Sequence, residues 1–175
     1  PDDLRTWYQL ADGTERTPDG YVLPSYCPMP LQNVIEHWGM WLEIGRETRA
    51  LWRAEHDDPW RQALGTALGD APADPDDVFA RLQSEPAGTA AGMFLPSFVP
   101  VAEDQSGSDL FVDTRLGESH GCVTSYDKVD GDYQGRRWPS VTAMLTDVAD
   151  ALRTASPVGH WRPDVEDGAL RWRIV

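Results

Sequence analysis

Cysteine, lysine and long apolar runs are all scarce in this chain. Cys27 and Cys122 are its two cysteines, too few for a disulfide scaffold and in no metal-ligand spacing, so a reducing compartment, the cytoplasm, is the expected setting. Bases are outnumbered, with 15 Lys plus Arg against 29 Asp plus Glu and a net charge of −14, and Lys128 is the single lysine. That balance argues against non-specific binding to nucleic acid or to an anionic membrane surface, both of which use clustered cations, and favours a basic partner. No segment approaches the ~18 consecutive apolar residues of a membrane span, and no basic head with an apolar run marks a secretory signal. Disorder throughout is excluded by composition: 41% of the 175 residues are hydrophobic, and eight Trp, five Tyr and four Phe supply a core. The length suits one domain, residues 1–175.

The pattern changes along the chain. Asp2 to Leu10 reads as a short helix with acids in its first turn, stopped by Asp12-Gly13. Tyr21 to Leu23 suggests a short strand, and Pro24, Pro28 and Pro30 keep the next stretch extended. Apolar residues at 31, 34, 35, 38, 42 and 52 recur at helical spacing and predict a helix over 31–53 with that stripe buried. Residues 55–92 are acidic and rich in Ala, Gly and Pro, and read as an acidic insertion of short helices and loops with a weak core of its own. Within it, Asp74-Pro75 reads as the cap and first turn of a helix. From Met93 the period becomes two. Segments 98–102, 110–114 and 122–126 then read as an antiparallel meander. Ser140 caps an apolar series at 141, 144, 145, 148, 149 and 152, an amphipathic helix, and 170–174 alternates like a half-buried strand. The expected class is α+β, a mainly antiparallel sheet with flanking helices.

Chemistry-bearing constellations are few. Glu103, Asp104, Asp109 and Asp113 form an acidic run without a base, but a calcium loop counted from Asp104 would hold Asp109 where Gly is needed and Arg115 where Glu is needed. The run reads as a solvated turn or as an acidic partner-binding edge. His120 and Cys122 share a strand face without a third orienting group, which favours a packed cysteine over a nucleophile. His37, His56 and His160 are far apart with no ligand at i+4, and no phosphate-binding or nucleophile-elbow motif occurs. No enzyme activity, metal or cofactor is expected. Trp38, Trp52 and Trp172 fit apolar stripes, whereas Trp41, Trp60 and Trp161 do not and are candidate interface residues. Residues 57–77 hold six acids, among them Asp57 and Asp58, against Arg61 alone, and read either as a solvated insertion or as a surface for a basic partner.

Leu95-Pro96-Ser97-Phe98 through Asp104-Gln105-Ser106-Gly107-Ser108-Asp109-Leu110-Phe111-Val112-Asp113 resembles the centre of the SUKH superfamily, the domain of the Smi/Knr cell-wall-assembly regulators and of bacterial immunity proteins. Gly121 to Asp127 is similar to that family's next strand, Trp138-Pro139-Ser140-Val141 to Leu152 to its helix, Asp2 to Gly13 to its early segment, and Asp167 to Trp172 to its closing strand. Departures are the missing Trp before the central strand, Ser106 and Ser108 in the glycine turn, and the 55–92 insertion. The resemblance implies a SUKH-like fold in which 99–102, 110–114, 122–126 and 170–174 share one sheet, with a further helix ahead of Pro1. It also implies a non-catalytic intracellular binding protein, an immunity protein that masks a nuclease or deaminase toxin. The alternative within the family is a regulatory scaffold of cell-wall synthesis or signalling. The partner-binding residues expected on this reading are Glu103, Asp104, Asp109, Asp57, Asp58, Trp41, Trp60 and Trp161.

Overall fold

The computed structural model describes residues 1–14, 21–59, 62, 73–104, 106–127, 129, 131–132 and 135–175. Helix α1 is Asp2–Leu10, with Asp2 and Asp3 in the first turn where the helix dipole favours acids. Asp12-Gly13 ends it as expected. Gly13 has φ +72°, and a Cβ there would lie 2.3 Å from the Pro30 nitrogen, so only glycine lets the chain pass this close. The Asp12 carboxylate then accepts from Leu31 N–H at 2.7 Å, which satisfies one of the orphan donors at the start of the next helix.

The strand expected at 21–23 is reduced to an isolated bridge between Leu23 and Tyr26, because Pro24 and Ser25, at φ +66°, fold the chain into a tight turn. Strand β1 is instead Cys27–Pro28. Helix α2 runs over Leu31–His56. Helix α3, Pro75–Ser84, starts as the sequence indicates, with the Asp74 carboxylate accepting from Asp76 N–H at 2.8 Å and Pro75 in the first turn.

A five-stranded antiparallel sheet takes the order β1-β2-β3-β4-β5, with β2 at Phe98–Glu103, β3 at Ser108–Asp113, β4 at Val123–Asp127 and β5 at Arg136–Trp138. Successive side chains alternate between its faces, except at the β2 irregularity between Pro100 and Ala102, which leaves Val101 and Ala102 on one side. Val101, Ala102, Leu110, Val112 and Val123 pack with Trp7 of α1 and with Val141, Met144 and Val148 of helix α4, Val141–Thr154. Phe98, Phe111 and Phe94 pack with Trp41 of α2 and Leu82 of α3. The result is three layers with a core on each side of the sheet. Ser140 caps α4 by accepting from Ala143 N–H at 3.1 Å. Met144 and Val148 are buried as expected, while Leu145 is half-buried.

Two further expectations fail. The segment at 170–174 is a strand, β7 (Ala169–Ile174), but it pairs with β6 (Trp161–Glu166) in a separate two-stranded sheet. The intervening Asp167-Gly168 has φ +53° and +81°, the left-handed pair that closes a tight hairpin on its neighbouring segment. The four segments therefore do not share one sheet. Nor do the described residues of 55–92 form a core of their own, since Leu82, Val78 and Phe79 join the cluster under α2. Residues 60, 61 and 63–72 of that stretch lie outside the described set.

Candidate functional site

Glu103 and Asp109 are direct partners across β2 and β3 and point to the face that α2 covers. They are 7% and 3% exposed, so neither lies on a solvated edge, and this corrects the reading of the acidic run. Burial of two carboxylates needs donors. Helix α2 supplies them. Trp41 Nε1–H donates to Asp109 at 2.5 Å, and the two nitrogens of His37 face Asp109 at 3.3 Å and Glu103 at 3.4 Å. Burial pushes the Asp109 carboxyl above the usual carboxylate range, with the Trp41 and His37 contacts pulling the other way.

The same contacts correct the face of α2. Val34 and Trp41 are its buried residues, while Leu31, Ile35, Met40, Ile44 and Leu51 are exposed and Trp38 is 37% exposed. The helix carries apolar side chains on two sides of the stripe that docks, and the sheet selects the stripe that also holds His37 and the indole N–H. Trp41 is thus a core residue, stacked on Phe94 and set edge-on against Tyr126, and not an interface residue. Trp38, which fits the apolar stripe in sequence, is instead at the surface, its indole donating to the Pro96 carbonyl at 3.1 Å. Its neighbours Leu31 and Ile35, two turns and one turn earlier, carry the signal: a helix apolar over so wide an arc cannot bury all of it.

The remaining acids of the run are also engaged. Asp104 accepts from the Ser106 and Ser108 backbone N–H groups at 2.7 and 2.9 Å and shapes the β2–β3 turn. Asp113 and Arg115 form an ion pair at 2.7 Å with side chains 2% and 1% exposed. Arg115 also donates to the carbonyls of Leu82 and Thr89, and Asp113 accepts from Gly88 N–H, so this pair ties the 82–89 segment to β3. Asp132 does the same for the next turn by accepting from Ala91 and Gly92.

The Cys122 thiol is pushed up to about 11, chiefly by burial and then by Asp113, which keeps it protonated and unreactive near neutrality. His120 Nδ1 donates to the Arg115 carbonyl at 2.9 Å, a structural role. His56 faces Asp57 at 3.1 Å and His160 lies beside the Trp161 ring. Among the described residues no three His, Cys, Asp or Glu side chains are grouped to hold a metal ion.

Asp57 and Asp58 are exposed at the end of α2, and Asp74, Asp76 and Asp77 are exposed at the start of α3. An Arg53–Asp76 ion pair joins the two helices there, so acids separated by sequence share one end of the molecule. Trp161 is half-buried at the start of β6, remote in sequence from that end, and Trp60 lies outside the described residues. An open groove of about 490 Å³ between α1 and α4 is lined by Trp7, Leu10 and Leu145, with Asp3 and Arg153 at its margin. No helix among the described residues is long and apolar enough to cross a membrane. No protein-family model matches the chain, and comparison with curated proteins gives no match.

Proposed function

We propose that the protein is a non-catalytic cytoplasmic binding domain that neutralises a basic toxin domain of the nuclease or deaminase type. The observation that carries the reading is the gathering of exposed carboxylates at the α2–α3 end, Asp57 and Asp58 with Asp74, Asp76 and Asp77, in a chain of net charge −14. Such a surface steers a cationic partner into encounter and covers the kind of surface with which that partner meets phosphate. The SUKH resemblance supplies the immunity role and is supported by the three central strands and the α4 helix. The separate β6–β7 hairpin departs from it, so the binding role rests on charge and the immunity role on the resemblance.

The test is recovery of the tagged chain from its native cell, followed by assay of whatever is bound in stoichiometric amount. A basic domain whose nuclease or deaminase activity is blocked in a one-to-one complex supports the reading. Several weakly held wall-synthesis or signalling proteins would replace it with the regulatory scaffold.

A further inference from the structure

Helix α2 is engaged by the fold on two of its sides. Val34 and Trp41 face the sheet. Leu42 packs with Val78 and Phe79 of α3, the Arg49 guanidinium lies 3.8 Å from the centre of the Phe79 ring, and Arg53 pairs with Asp76, so α3 covers a second side. The third side carries Met40, Ile44 and Leu51. At about 3.6 residues per turn they fall within about 40° of one another around the axis and roughly a quarter turn from the buried row. They are 45%, 42% and 70% exposed.

Charge is sorted between these sides. Glu36, Glu43 and Glu47 are exposed and flank the Met40, Ile44 and Leu51 row, whereas the arginines of the helix, Arg46, Arg49 and Arg53, lie towards the α3 side. Glu36 accepts from the neutral Gln32 amide at 2.8 Å, and Glu43 meets Arg46 at the margin of the face. Towards the end of the helix the face runs into exposed Asp57 and Asp58.

An apolar residue exposed singly needs no explanation, but a row along one helix side is the pattern of a docking face. The acids beside it decide the occupant. A second copy of this chain would set like charges against each other at −14 per molecule, and an anionic membrane surface is repelled in the same way. A partner with an apolar strip edged by lysine or arginine meets both features, and methionine adapts its shape to such a strip. We propose that the outer face of α2 is the docking surface for the cationic partner, with Met40, Ile44 and Leu51 as its apolar anchors and Glu36, Glu43 and Glu47 as the acids that pair along its edge. This rests on the binding role proposed above and extends the contact from the acidic end of the molecule along the helix.

The test is an amide-shift titration of the isotope-labelled full chain with three amidated helical peptides of one length. The first has leucine on one side and lysine on the other, the second has serine in place of leucine at the same charge, and the third has glutamate in place of lysine. The leucine–lysine peptide is expected to shift amides along 36–55 and to bind at least about tenfold more tightly than the serine–lysine peptide, while the leucine–glutamate peptide does not bind. Ile44→Ser with Leu51→Ser should remove that tenfold advantage and leave the serine–lysine peptide unaffected; both side chains are exposed, and the amide spectrum of the variant reports its fold. Equal affinity for the two lysine peptides, with shifts confined to 57–58 and 74–77, would overturn the docking face and leave the cationic partner standing. Binding of the leucine–glutamate peptide as tightly as its lysine counterpart would overturn it as well. No binding of either lysine peptide at low salt would remove the docking face and the cationic partner together, and none of these three outcomes needs a variant to fold.

Discussion

Trp41 and Asp109, 68 residues apart in sequence, are joined by a 2.5 Å hydrogen bond from the indole Nε1 to the carboxylate. The contact fixes the rotation of α2 about its axis, because only one stripe of the helix brings both His37 and Trp41 over the Glu103–Asp109 pair. It also explains how Glu103 and Asp109 fold inward in a run without a base: their donors come from a helix far upstream.

Trp41→Phe keeps the packing against Phe94 and removes the donor. We expect a loss of about 1 to 3 kcal/mol, the cost of a buried acceptor left with one partner fewer. The loss should grow as pH rises above the carboxylate range. The indole favours the charged form, so removing it raises the Asp109 carboxyl further and extends the window in which folding loses stability with pH. Urea unfolding at pH 5 and pH 8 measures both effects, and equal losses at the two values would contradict the assignment.

Arg115→Ala should cost about 3 to 5 kcal/mol, because it leaves Asp113 buried and unpaired. It also frees the carbonyls of Leu82 and Thr89, so hydrogen exchange should rise first at Ala87 and Gly88 and leave α4 protected. Uniform loss of protection across the chain would show that the pair holds the whole fold rather than this segment.

Met144→Ala and Leu145→Ala separate a buried from a half-buried position on one helix. The first should lose about 2 to 5 kcal/mol as a cavity and the second less than about 2. Denaturant midpoints that rank them the other way would place the wrong face of α4 against the sheet.

Helix α4 was legible because its apolar spacing has a single solution and Ser140 marks its start. The three central strands were legible from period-two runs cut by Gly, Ser and Asp. Helix α2 shows where such reading stops: its length was read to within a turn, but apolar residues lie on either side of the buried stripe, and the choice was made by Asp109 on a distant strand. Strand β6 was missed because Arg162, Pro163, Asp164 and Glu166 resemble a loop, and its pairing is imposed by the hairpin turn at Asp167-Gly168. Among the described residues of the candidate site, only Asp57 and Asp58 keep the exposed position assigned from sequence. Glu103 and Asp109 look like surface acids in any local window, and their burial depends on partners no window contains.

Association of the protein with the basic domain proposed as its partner, followed by stopped flow over a range of salt concentrations, bears most directly on the proposed binding role. The rate should fall steeply with salt. Asp57→Lys with Asp58→Lys should slow it about tenfold at low salt and flatten that dependence. Folding stability should change by no more than about 1 kcal/mol, since both side chains are exposed. An association rate indifferent to salt and to both reversals would contradict an acidic docking surface at this end of the molecule.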